Sequence, residues 1–490
     1  MEKPKLEKSK MSDAMQTPLE RAMFQRSEHL VESFMIIGAP VSNTFFPESN
    51  QELLYQFPKA PRVNEQVVQF LKSPTPFERI SLKKYLEEER MKPAVSILPG
   101  RGLSQFAVAV SHLEPVCMHS TLIQGPNVFP STISSFNAVR RFYIFICLQP
   151  HVQGLIQALE VLIDRDFKYK LKALVEKKKE KLNELKREQL EEILNSLLTT
   201  NSNNLKTEKL QIPCLSTDYK GYPIILSYKK NKEEEEQVSL EIRYSSIYPI
   251  PNLMLLCDFS LPILFASLPV NLILDVFEAV VLETSVIFTS TKPTNFTACC
   301  FGFLSLLHPL SWQGVFLPLV PQNHVELLDA PVPGIYGTQP LKENPSTSGL
   351  LVNIDMFTPS VSERKKQQHT FSSQSLLPKE LRESLQQNVE SVIEKQPRKE
   401  GEEFAFSTNM IKVFWLFFFK RVFNELLTTI PVDDDNFDHL KEGVEKSEKD
   451  PQLKNFLLKL IKTQHFNAWW FSQYTPFKHK IREALSATFK

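Results

Sequence analysis

Glycine is scarce, 13 among 490 residues, and the few present form neither a GxGxxG string nor a GxxxxGK[ST] loop. The backbone devices that cradle nucleotide phosphates are missing, so a nucleotide-binding reading has no support. Net charge is equally small, since 57 basic and 56 acidic residues leave +1. No global pull toward nucleic acid or an anionic membrane follows, and a charged partner must be met by a local patch. The six cysteines, Cys117, Cys147, Cys214, Cys257, Cys299 and Cys300, show no CxxC spacing, and no HExxH occurs. The adjacent pair cannot easily chelate one metal, so reduced thiols in a cytosolic protein are the reading their spacing supports. No Gly-x-Ser-x-Gly elbow marks a nucleophile, and the ten histidines include no metal-binding pair at helical spacing. The longest apolar run, Leu261 to Leu274, falls short of the roughly 20 residues of a membrane span and meets Asp275 and Glu278 at once. The opening residues MEKPKLEKSKMSDAMQ carry charge but no apolar core of a secretory signal. We expect a soluble, cytoplasmic protein.

What is present is a chain of 42% hydrophobic and 23% charged residues, long enough for two or more compact units. Residues 1–28 are polar, apart from a short helix expected over Pro18 to Arg26. VESFMIIGAP, from Val31, reads as a strand because its apolar residues are contiguous and it stops at Gly38 and Pro40. A short helix is expected over Glu65 to Lys72, further strands in QFAVAVSHLEPVCMHSTLI and RRFYIFICLQ, and a helix over Val152 to Ile163. This order suggests a small α/β lobe with a mainly antiparallel sheet over residues 29–165. Residues 166–205 change character: Leu171, Leu174, Leu182, Leu185 and Leu190 recur among mixed charges, giving a charged connector helix with a narrow apolar stripe. Residues 205–240 read as strands joined by an exposed turn at the EEEE run.

A second lobe shows its architecture between Val281 and Val320. SVIFTS is a strand, Pro293 sits early in a helix with Thr291 near its cap, and VFLPLV is a second strand. Strand, helix, strand in about 35 residues is a right-handed βαβ crossover with two parallel strands. A short helix over His324 to Ala330 and a strand over Gly349 to Phe357 follow. Residues 358–375 read as a loose polar loop, and 376–490 as helices over Leu377 to Ile393, Thr408 to Thr429 and Leu453 to Thr463, with a tail from Pro476. FWLFFFKRVF is apolar nearly all round, which fits a core helix better than a span. His308 reads as a helix-end histidine, and Asp433 to Asp435 as a solvated acidic run. With no reactive constellation, the chain is expected to work by binding another protein.

A string of motifs resembles the DENN-domain family, exchange factors for Rab-type small GTPases. The central signature is carried by LCDFSLPILFASLPVNLILDVFEAVVLETSVIFTS (Leu256 to Ser290), LLHPLSWQGVFLPLVP (Leu306 to Pro321), ELLDAPVPGIYG (Glu326 to Gly337) and LLVNIDMF. VESFMIIGAP and the strands from Phe106 to Ile123 resemble the upstream element; the aromatic helix of 406–429 and FLLKLIKTQHFNAWW resemble the downstream one. The resemblance implies a bilobed α/β fold: a longin-like N-terminal lobe with an antiparallel sheet, and a C-terminal α/β lobe with a mixed or parallel central sheet flanked by helices, its central part over 206–357. It also implies no covalent step and no cofactor, with GDP, GTP and magnesium belonging to the partner GTPase. Peripheral association with vesicle or endosomal membranes would come through that partner.

Asp258, Glu283, Trp312, Pro318, Pro321, Asp329 and Pro333 are the signature residues expected to be structural. Trp312 should pack at the start of a central strand, with Pro318 interrupting one ladder bond near an end or edge. Contacts with the GTPase are expected from Gln313, from Pro331, Gly334 and Tyr336 in PVPGIYG, and from Asn353 and Asp355, on the reasoning that open α/β sheets place their sites at strand C-termini. Thr284 and Ser285 stand where many family members carry a basic pair, and Gly314 replaces a frequent histidine. A non-catalytic Rab effector or trafficking scaffold on the same fold is an alternative. A GTPase-activating component is another, with Arg101 in LPGRGLSQ as its finger.

Overall fold

The computed structural model describes residues 29–38, 52–58, 77–81, 91–98, 105–115, 135–152, 251–341, 349–357, 375–395 and 403–431, most of 154–163 and 434–486, and scattered positions at 19, 22, 191–198, 210–211 and 225–226. The helix expected at Glu65 to Lys72, Arg101, Cys117, Cys214 and most of residues 1–28, 166–240 and 358–375 lie outside them.

An antiparallel sheet is built from β1 (Ser33–Gly38), β2 (Glu52–Phe57), β3 (Phe77–Ser81), β4 (Met91–Leu98), β5 (Gln105–Pro115) and β6 (Ser135–Cys147), in the order β2-β1-β6-β5-β4. β3 continues the β1 edge, pairing with residues 135–139 of β6 where β1 pairs with 141–146. Alternation divides the side chains between two buried faces. Phe34, Ile36, Val108, Val110 and Phe145 join the main core, with Val152, Leu155 and Leu159 of the following helical stretch. Met35, Ile37, Ala107, Ala109, Ile144 and Ile146 form the opposite face. Burial on both faces explains why these strands read as contiguous apolar runs. β2, β3 and β4 escape that reading for physical reasons. β2 is an edge strand exposing Glu52 and Leu53, β3 is short and charged, and β4 contains Pro93, which an edge strand tolerates because one side of its ladder is unpaired. A separate two-stranded ladder joins β7 (Leu210–Gln211) to β8 (Ile225–Leu226).

The central region opens with α1 (Pro251–Ser267) and α2 (Val270–Val281). A parallel sheet follows, of β9 (Val286–Thr289), β10 (Val315–Val320), β11 (Gly334–Thr338) and β12 (Leu350–Asn353), ordered β10-β11-β9-β12. The expected crossover is present as β9, α3 (Pro293–Leu306) and β10, with β11 inserted between the two strands it joins. Pro318 lies in the edge strand β10, where the register with β11 shifts between Leu317 and Val320. The strand expected through Phe357 is shorter than its apolar run: β12 ends at Asn353, whose side chain caps a 3-10 turn over Ile354–Met356. Thr291 does not cap α3; Lys292 holds that position without a side-chain bond and Pro293 opens the helix.

α3 is buried at every position from Phe296 to Leu306. It packs on the parallel sheet, on α1 and on β4. Gly302 permits the α1 approach, since a Cβ there would meet the Leu264 side chain at 2.8 Å. Each large apolar side chain so buried contributes about 1.5–3 kcal/mol.

The last third forms α4 (Lys379–Lys395), α5 (Glu403–Phe414), α6 (Lys420–Leu427), α7 (Phe437–Lys446), α8 (Pro451–Ile461), α9 (Gln464–Trp469) and α10 (Thr475–Ser486). The single helix expected over Thr408 to Thr429 is α5 and α6 joined by a π-helical turn, Trp415–Phe419. A second π turn, Trp470–Tyr474, joins α9 to α10. Each extra residue rotates the apolar face, which suits a sequence that is aromatic nearly all round. Phe277 of α2 meets Phe414 and Phe418 edge-on with ring centroids 4.8 and 4.9 Å apart. Among the described residues no helix is long and apolar enough to cross a membrane.

Two carboxylates of α2 and its end tie this helical third to the central sheet. Glu278 accepts from Ser375 Oγ at 2.6 Å and from the amides of Leu376 and Leu377 at 2.7 and 3.3 Å, just before α4. Glu283 stands in the left-handed region at φ 55°. There its amide donates to Val280 O and the amide of Thr284 to Ala279 O, the paired bonds of a Schellman helix end in which glycine is usual. Strain of about 1–2 kcal/mol is offset by the Glu283 carboxylate, which accepts from the amide of His465 at 2.9 Å.

Glu278→Ala leaves one hydroxyl and two amides without their acceptor, and we expect a loss of about 2 kcal/mol in urea unfolding, with Glu278→Gln losing less. Gly314→Ala should destabilise as well, because its Cβ would stand 2.2 Å from the backbone oxygen of Pro333; a lowered thermal midpoint checks it. Burial holds His151, His308 and His465 near a pKa of about 4, below the ordinary 6.5. The unfolded chain therefore binds more protons between those values, and stability present above pH 6.5 is lost as pH falls toward 4. Denaturation measured across that window should show the decline, and it should be shallower in His308→Gln.

Candidate functional site

Strand direction separates the expected contact residues into two groups. Pro331 and Pro333 precede β11 and Gln313 precedes β10, so these three lie at the N-terminal edge of the parallel sheet. Asn353 and Asp355 lie at its C-terminal edge. One length of the five-residue β11, about 17 Å at roughly 3.3 Å per residue, divides the groups. The expectation that PVPGIYG follows a strand end is thereby corrected: its prolines enter β11 rather than leave a strand. Gly334 and Tyr336 are also corrected as surface contacts. Both are buried within β11, and a Cβ on Gly334 would overlap the Tyr336 ring at 2.2 Å. Burial pushes the Tyr336 phenol upward.

At the N-terminal edge the chain spends its polar groups on itself. Trp312, 1% exposed, donates from Nε1 to Val315 O at 3.0 Å, and its ring centroid lies 6.1 Å from that of His465. Gln313 donates from Nε2 to Ser311 O at 3.0 Å. Ser285 Oγ accepts from the amide of Gly334, and Pro333 O from the amide of Val315. Ser285 thus serves the strand entry where a basic pair would have offered charge. Gly314 has no room for a histidine side chain without a backbone shift. Among the other signature residues, Pro321 is buried ahead of the 3-10 segment Gln322–Asp329, Asp329 is exposed at its end, and Asp258 is half-buried on α1.

The C-terminal edge has a different construction. Asp355 Oδ1 accepts from Ser290 Oγ at 2.5 Å and Oδ2 from the amide of Thr291 at 2.7 Å. Ser290 Oγ accepts in turn from the amide of Lys292 at 3.0 Å, and Asn353 Oδ1 from the amide of Asp355 at 3.2 Å. Both oxygens of Asp355 are therefore occupied by the turn between β9 and α3. One turn on, Thr294 Oγ1 donates to Pro93 O of β4 at 2.6 Å, which brings the edge against the antiparallel sheet. Around these bonded groups Thr291, Lys292, Asn353 and Met356 are exposed, Met356 by 49%. The edge thus offers an ammonium, a hydroxyl, an amide and an apolar side chain on a backbone held by hydrogen bonds. Of these, sequence reasoning found Asn353 and Asp355. Ser290 and Thr294 carried no local signal, because their partners Asp355 and Pro93 lie 65 and 201 residues away.

The cysteines are consistent with inert thiols. Cys147, Cys257, Cys299 and Cys300 are buried and free, and burial raises each thiol, that of Cys257 to about 12. Asp434, of the acidic run, accepts from the amide of Asn436 and pairs with His439 at 2.9 Å; these contacts lower its pKa. Among the described residues no group of three His, Cys, Asp or Glu comes together to hold a metal.

Residues 171–356 match the family model described as the DENN (AEX-3) domain. The human DENN domain-containing protein 2B is 26% identical over 215 residues, which are 41% of this chain and 18% of that protein. DENN domain-containing protein 2A of Mus musculus is 28% identical over 134 residues, 26% of this chain and 12% of that protein. Elicitor of plant defense protein 1 of Gibberella zeae is 32% identical over 98 residues, 19% of this chain and 8% of that protein. The chain spans less than a fifth of the length of these curated relatives. The parallel sheet, its C-terminal edge and the signature residues from Asp258 to Pro333 all fall inside the match, so this part of the chain is similar to the DENN domain.

Proposed function

We propose that this protein is a guanine nucleotide exchange factor: it binds a Rab-type small GTPase and promotes release of GDP in membrane trafficking. The observation that carries the proposal is the DENN family match over residues 171–356, together with relatives named for that domain. In this reading the antiparallel sheet is the longin-like lobe of a bilobed module and the parallel sheet with its helices is the other. The contact between α3 and β4 is the joint between them. The GTPase would meet the C-terminal edge, where Thr291, Lys292, Asn353 and Met356 are exposed.

Exchange of this kind asks for no bond-making by the factor. A protein that binds the nucleotide-free GTPase more tightly than the loaded one weakens nucleotide binding by the same ratio, since coupling between two ligands is reciprocal. Roughly 4 kcal/mol of such coupling corresponds to about a thousandfold. Guanine nucleotide and magnesium are carried by the partner, and rebinding GTP displaces the factor. The same partner would bring the chain to a vesicle or endosomal membrane.

Release of fluorescent GDP from a panel of Rab-type GTPases, measured with purified protein, tests the proposal. Acceleration for one or two members is expected and identifies the substrate. Tight binding that depends on GTP, without faster release, would instead establish an effector.

A further inference from the structure

We infer that Asp355 is a positioning residue that couples the exposed sheet edge to the antiparallel sheet, rather than a residue that touches the partner. The inference that this coupling serves exchange rests on the reading just proposed; the coupling itself rests on the hydrogen bonds. Both carboxylate oxygens are taken by Ser290 Oγ and the amide of Thr291. Ser290 is fully buried, so the bond to it anchors the exposed turn to the interior. Ser290 Oγ also accepts from the amide of Lys292, the residue that caps α3. Fixing Lys292 fixes the first turn of α3, and Thr294 in that turn donates to Pro93 O of β4. Four hydrogen bonds thus run from the end of β12 through the β9–α3 turn to an edge strand of the other sheet.

The edge strand makes the terminus of this path informative. β4 pairs with β5 and also packs against α3 and β10. Its position is therefore tied to α3, whose first turn follows directly on the turn that Asp355 binds. A partner that presses on Thr291, Lys292 or Met356 acts on a turn whose displacement reaches β4, where a local surface contact would stop at the turn. The specificity of exchange would then depend on residues around Asp355, and its rate on Asp355 itself.

Hydrogen exchange on the full chain, combined with GDP-release kinetics, tests the coupling. In Asp355→Asn, amides of residues 290–296 should exchange about tenfold faster, and those of Met91–Leu98 should accelerate with them, while α8 is unchanged. Thr294→Val should accelerate exchange in Met91–Leu98 and leave Thr291 protected. With a responsive GTPase, Asp355→Asn should lower the maximal release rate about tenfold with little change in the half-saturating concentration; Lys292→Ala should do the reverse. Faster exchange confined to 290–296 would overturn the coupling, as would unchanged exchange in both segments. A wild-type chain to which no GTPase responds refutes the exchange reading, and the hydrogen-exchange arm still decides the coupling. Equal losses of rate and affinity in Asp355→Asn would mark Asp355 as a contact and overturn its positioning role.

Discussion

α3 has no free side. A helix buried over eleven consecutive positions, Phe296 to Leu306, must be covered on every face at once, and the covers include the parallel sheet, α1, α2, α5 and β4 of the antiparallel sheet. Apolar burial sets this requirement, because an uncovered Phe or Leu forfeits about 1.5–3 kcal/mol. The main core is consequently continuous from β1 to α10. The two sheets cannot separate without exposing the helix between them.

Apolar packing fixes that the elements meet, and a small set of polar contacts fixes how. Glu278 gathers the chain entering α4, Glu283 reaches the start of α9, and Asp355 holds the β9–α3 turn. Each is a carboxylate accepting from backbone amides in a half-buried place, where a charge-assisted hydrogen bond is worth more than in water. These residues look like candidates for chemistry in a list of acidic side chains. In the fold they are occupied. Surface chemistry is left to others, and beside Asp355 these are Thr291, Lys292, Asn353 and Met356.

Such a division suits a protein that acts by presenting a surface. Under the proposed function, binding energy would serve exchange only if the residues of this edge held their geometry while the partner changed, and an ordered scaffold lowers the entropy cost of association. The proline at the β4 edge, the buried serine at the end of β9 and the short 3-10 turn after β12 are all small devices that hold one corner of the molecule.

Much of this architecture was legible in the linear order of residues. The βαβ crossover, Pro318 in an edge strand, the buried Trp312 and the helical last third follow from local patterns: apolar period, proline position and aromatic content. Strands β2, β3 and β4 were not, because an exposed, short or proline-bearing strand lacks the period that burial imposes. The candidate site was legible only at Asn353 and Asp355. Which end of the sheet PVPGIYG occupies, and the burial of Tyr336, depend on strand direction and on the covering of a face. By itself the sequence determined which segments must be buried and which family they resemble, since apolar spacing and motif strings are local. Tertiary structure alone decided that Glu283 meets His465, 182 residues away, and Thr294 meets Pro93, 201 away, because pairing between distant segments is set by how shared apolar faces pack.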